Sequence, residues 1–71
     1  MERTAVSSTN VSEIGYDRKA KTLEVAFSNG SVYQYFKVPA KVHNELMAAK
    51  SIGKFLATRI KGFFRCERVD G

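Results

Sequence analysis

The chain has 71 residues, carries twelve Lys and Arg against seven Asp and Glu, and is 44 % hydrophobic with a single cysteine and a pI near 9.7. This length allows one domain with one small core, and the apolar share excludes disorder. A lone Cys66 excludes an internal disulfide, and no apolar run approaches the roughly 20 residues that cross a bilayer.

Met1 to Asn10 is polar, rich in Ser and Thr, and without periodicity, so residues 1–10 read as a loose N-terminal arm or edge segment. They lack the apolar stretch of a secretory signal, which places the protein in the cytoplasm. A first strand is expected over Val11 to Tyr16, followed by a charged connection, Asp17 to Lys21. Leu23, Val25 and Phe27 then alternate with Glu24, Ala26 and Ser28, and Val32 to Val38 is β-branched and aromatic. Between these runs, Asn29-Gly30 marks a hairpin, because both residues tolerate the positive φ of a tight turn. Pro39 ends the strand and suits the first position of a helix.

Two short helices follow. Val42, Leu46 and Ala49 fall on one face of the first, with Lys41, Asn44 and Glu45 outward. Ser51 is an N-cap for the second, which buries Ile52, Phe55, Leu56 and Ile60 and stops at Gly62. Phe63 and Phe64 are assigned to the core, and Arg65 to Val69 is long enough for a short strand or an extended tail. The expected fold is a single α+β domain over residues 11–69: a three-stranded antiparallel meander, two helices packed on one face, and a C-terminal segment that forms a short strand or an extended tail.

The order Leu23 to Phe27, Asn29-Gly30, Val32 to Tyr35, Val38-Pro39, and Ala49 to Phe55 with Ile60 resembles the KTSC domain. That family is named after the C-terminal domain of some lysyl-tRNA synthetases and also occurs as stand-alone bacterial and phage proteins. Its central Tyr-x-Tyr maps onto Tyr33 and Tyr35, and its Ser-x-Gly before an aromatic onto Ser51, Gly53 and Phe55. The resemblance implies the fold, and RNA binding only through the synthetase association.

The hairpin register decides what the two tyrosines do. A loop symmetric about Asn29-Gly30 pairs Phe27 with Val32 and turns Tyr33 and Tyr35 outward, where they form a stacking platform for bases. A three-residue loop closed by a Gly30 bulge slips the pairing by one and places both beside Val25 and Leu23 in the core. Gln34 sits poorly in a core, whereas Tyr buries its ring and bonds through its hydroxyl, which favours the second register.

From Lys50 onward six basic residues face two acids, whereas the first 49 residues hold six against five. Lys54, Arg59, Lys61, Arg65 and Arg68 are therefore the candidate phosphate contacts, joined by Tyr33 and Tyr35 if the symmetric register holds. Such surplus Lys is also the ordinary wet side of an amphipathic helix. The lone His43 and the lone Cys66 provide neither a metal cluster nor a catalytic triad, so no enzyme activity, cofactor or small-molecule substrate is expected. The expected function is RNA binding, tRNA included, with a protein-interaction module as the alternative.

Overall fold

A computed structural model of the chain describes residues 1–69. It is α+β, with one five-stranded antiparallel sheet in sequential order: β1 (Arg3–Ala5), β2 (Val11–Asp17), β3 (Thr22–Phe27), β4 (Val32–Tyr35) and β5 (Cys66–Arg68). Between β4 and β5 the chain makes α1 (Ala40–Ala48) and α2 (Ile52–Phe55), and α2 continues into a π-helical turn, Leu56–Ile60. None of these helices is long and apolar enough to cross a membrane.

The expected three-stranded meander is thus the middle of a wider sheet. β1 lies within the polar segment expected as an arm or edge, where Arg-Thr-Ala shows no alternation because all three residues stay exposed. The β3–β4 hairpin adopts the bulged register, with Val25 opposite Tyr33 and Leu23 opposite Tyr35. Gly30 N–H donates to the Phe27 carbonyl at 3.0 Å, Phe27 N–H donates to the Ser31 carbonyl at 2.8 Å, and Gly30 takes φ +95°. That is a three-residue loop closed by a glycine in the left-handed region. β4 ends at Tyr35 rather than Val38, because Lys37 turns the chain at φ +57° and Val38 N–H bonds the Lys21 carbonyl instead.

One sheet face and the helices enclose the core. Val11, Ile14, Leu23, Val25 and Tyr35 meet Val38, Leu46, Ile52, Leu56 and Ile60, with Val42, Phe55 and Phe64 packed at the margin. Ile52, Leu56 and Ile60 recur every four residues, a spacing that drifts about 40° per step on an α-helix. The wider π turn, closed by Lys61 N–H on the Leu56 carbonyl at 2.7 Å, offsets that drift and keeps Ile60 fully buried. Ser51 caps α2 as expected, its Oγ accepting from Lys54 N–H at 3.2 Å. Phe63 departs from its expected place in the core: it is 70 % exposed while Phe64 packs inward. Consecutive residues in this turn cannot both reach one small core.

On the other sheet face, register aligns Arg3, Gly15, Glu24, Gln34 and Glu67 in one row across the strands. Glu24 is only 8 % exposed there. Gln34 Nε2 donates to its Oε1 at 2.9 Å and Arg3 Nε to its Oε2 at 2.6 Å. The Gln34 amide first, and the Arg3 guanidinium with it, hold the Glu24 carboxyl below its ordinary 4.5, against the burial that pushes it up.

Candidate nucleic-acid interface

The helical layer does not cover the whole inner sheet face. Between the β3–β4–β5 side and the α2–π segment lies a groove of about 390 Å³. Leu56 and Ala57 form one wall; Phe27, Tyr33 and Tyr35 form the sheet side, and Asn29, Ser31 and Lys61 supply its polar groups. Tyr33 meets Phe27 edge to face, with ring centres 5.8 Å apart. Tyr35 is buried at 4 % exposure, and that burial raises its phenol above the usual 10.0.

A second depression, about 270 Å³, opens between the 7–10 loop and the start of α2. Ser7, Ser8 and Thr9 line it on one side, Lys50 and Lys54 on the other. Asn10 and Gly53 belong to both depressions, which therefore meet there as one track. A side chain at 53 would project toward Asn10 Nδ2 and Ser8 Oγ, each 3.9 Å from the ideal Cβ position, so glycine keeps the junction open. Among the described residues lining this track there are three lysines, six hydroxyls or amides from positions 7–10 and 29–31 beside Ser51, and no carboxylate.

The candidate residues divide accordingly. Lys54 and Lys61 stand on the track, Tyr33 forms part of its wall, and Arg68 is in register with Tyr33 on β5. Tyr35 packs in the core rather than offering an outer platform, because the bulged register turns it toward the helices. Arg59 turns to α1, where its Nη2 lies 3.9 Å from Glu45 Oε1 and its guanidinium 5.5 Å from the Phe55 ring centre. Arg65 lies apart from the track, in a depression with Phe36, Lys37 and Phe63.

A family model described as the KTSC domain matches residues 7–64. The chain belongs to the KTSC family. Its relatives include a lysine–tRNA ligase of Nostoc punctiforme, 41 % identical over 60 residues that cover 84 % of this chain and 11 % of that protein. A protein of Stutzerimonas stutzeri described as uncharacterized is 41 % identical over 71 residues, covering 99 % of this chain and 100 % of its own. The crystal structure of a KTSC domain protein from Yersinia pestis superposes with a TM-score of 0.91 at 40 % identity, covering 96 % of each chain. The chain spans about a tenth of the length of the lysine–tRNA ligases that it matches.

Within this KTSC domain, sequence reasoning missed Lys50, the hydroxyls of residues 7–9, and Asn10, Asn29 and Ser31. The signal was present in Ser-Ser-Thr-Asn at 7–10, a run of hydrogen-bonding side chains, but nothing in the sequence brings it against α2. His43 stacks on Tyr16 with ring centres 4.5 Å apart, and Tyr16 Oη donates to the Val38 carbonyl at 2.5 Å. Burial, and then the nearby Arg18, lower the His43 pKa from its ordinary 6.5. Cys66 is an exposed thiol at the groove, opposite Tyr35. No three His, Cys, Asp or Glu among the described residues stand close enough to hold a metal.

Proposed function

We propose that this KTSC domain is a non-catalytic RNA-binding module of the cytoplasm whose phosphate contacts run along the track from Lys50 and Lys54 to Lys61. The observation that carries this reading is the composition of the track: three lysines with hydroxyl and amide donors, and no carboxylate among its described lining residues. Such a surface attracts a phosphate backbone without demanding a base sequence. Support comes also from the relatives, since the same domain forms part of lysine–tRNA ligases, named for a tRNA substrate. Arg68 is in register with Tyr33 on β5 and adds a basic residue on that strand, and Tyr33 offers one half-buried ring to the groove.

The test is the affinity for a bulk tRNA mixture at rising salt. Neutralising about three phosphates gives a log–log slope of about −2 to −3, and each Lys→Ala change on the track lowers it by about 0.7 to 0.9. Absence of binding at low salt, or binding insensitive to salt, would sink the reading.

A second reading is supported by β5, whose three exposed residues form one edge of the sheet. Such an edge accepts a partner strand through its backbone. A protein partner retained at high salt after nuclease treatment favours this reading over the first.

A further inference from the structure

Phe63 is the most exposed large hydrophobic side chain among the described residues, and it is held in that position. Gly62 turns the chain at φ +88°, while Phe63 and Phe64 N–H both donate to the Ile60 carbonyl, at 3.0 and 3.2 Å. Phe64 and Ile60 pack inward, which anchors the turn from below. Phe63 shares a depression of about 550 Å³ with half-buried Phe36, with Lys37 and Arg65, and with the carboxylate Glu67. Phe36 N–H donates to the Arg65 carbonyl at 2.8 Å, so the β4 end and the segment leading into β5 hold the two rings and two cations in one place.

We infer that this depression binds a single unpaired nucleotide, with its base stacked on Phe63 and its phosphate met by Lys37 and Arg65. The inference rests on the RNA reading above and deepens it by adding a base contact apart from the track, with Phe63 only two residues beyond Lys61 in the chain. An aromatic face accepts any unstacked base, and cations at its rim suit the attached phosphate. Charge complementarity separates this occupant from a protein knob: three of the six lining residues are charged, which an apolar docking site disfavours. Glu67 faces the same space, and its carboxylate accepts from the amino group of cytosine or adenine, a contact that uracil lacks. A paired base has no free face to offer, so the site distinguishes single strands from duplex.

The chain has no tryptophan, so Phe63→Trp introduces a unique fluorophore. Its emission is titrated with a short oligoadenylate and with an RNA hairpin of fully paired stem, beside affinities of the wild type and Phe63→Ala for both. The expected result is quenching by the oligoadenylate, an affinity loss of about tenfold or more for the single strand in Phe63→Ala, and less than about twofold for the stem. Equal single-strand affinity in wild type and Phe63→Ala, with the salt dependence intact, overturns the stacking site and leaves the RNA reading standing. No binding of either RNA by the wild type overturns both. A concentration-dependent sedimentation coefficient in the wild type that Phe63→Ala lacks, with RNA affinity unchanged, overturns the stacking site and assigns the ring to a contact between copies of the chain.

Discussion

Arg3 reaches Glu24 across an entire intervening strand, its Nε donating to Oε2 at 2.6 Å, because the residue between them in the row is Gly15. An ideal Cβ on Gly15 would stand 2.8 Å from the Glu2 carbonyl oxygen and 3.2 Å from Arg3 Cγ. The first of these is backbone and moves only with β1. Gly15→Ala is therefore expected to displace β1 and to lower stability by about 1 to 3 kcal/mol. Amide exchange checks the location: protection falls in β1 and at its partners in β2, while β3 and β4 keep theirs.

The same carboxylate gives an acid-side stability loss. Its folded pKa lies below the ordinary 4.5, so the unfolded chain takes up its proton first as pH falls. The stabilisation is complete above the unfolded value and disappears as pH drops through the folded one. Urea melts of Glu24→Gln between pH 6 and about pH 3 should show a shallower decline than the wild type; an identical decline would assign the loss to other carboxyls.

His43 acts in a higher pH window. Its folded pKa is depressed below 6.5 by burial and by Arg18, so the unfolded chain binds this proton more readily. Stability is unaffected well above 6.5 and falls as pH drops through that value, until the folded-state pKa is passed. His43→Phe preserves a ring against Tyr16 and removes the titration, so its stability should stay level between pH 7.5 and 5.5. The midpoint of the wild-type imidazole proton shifts gives the check, and it should lie below 6.5.

Gly30 isolates a backbone effect from a packing effect. Its φ is +95°, yet a Cβ placed there meets nothing within 4 Å. Gly30→Ala should cost about 1 to 2 kcal/mol from the left-handed conformation alone, and Gly30→Asn less, because Asn visits that region more readily. Equal stability of all three by thermal melting would remove the bulged loop as the determinant of register.

The register was legible in one residue. Gln34 belongs on the face where it meets Glu24, and assigning it there sends Tyr33 and Tyr35 inward, as the pairing with Val25 and Leu23 shows. The helices were legible from the spacing of Leu46, Ile52, Leu56 and Ile60, all of them buried. β1 was not, because an exposed edge strand of Arg-Thr-Ala leaves no apolar period to read. Hydrophobicity alone places Phe63 in the core; the turn at Gly62 points it outward. The track needed tertiary structure, since Ser8 and Asn10 reach Gly53 from more than 40 positions away in the chain. Arg59 carried the same charge signal as Lys54 and Lys61, but its contacts with Glu45 and Phe55 place it on the α1 side.

The most direct measurement of the central proposal is a two-dimensional amide spectrum of the labelled protein, titrated with bulk tRNA at low and then moderate salt. Salt-sensitive shifts are expected at residues 7–10, Lys50 to Ala57, Lys61, and Asn29 to Tyr33, with Glu45 of α1 and Arg59, which turns toward it, undisturbed. An unperturbed spectrum at low salt, or shifts confined to α1 and β1, would contradict the proposal.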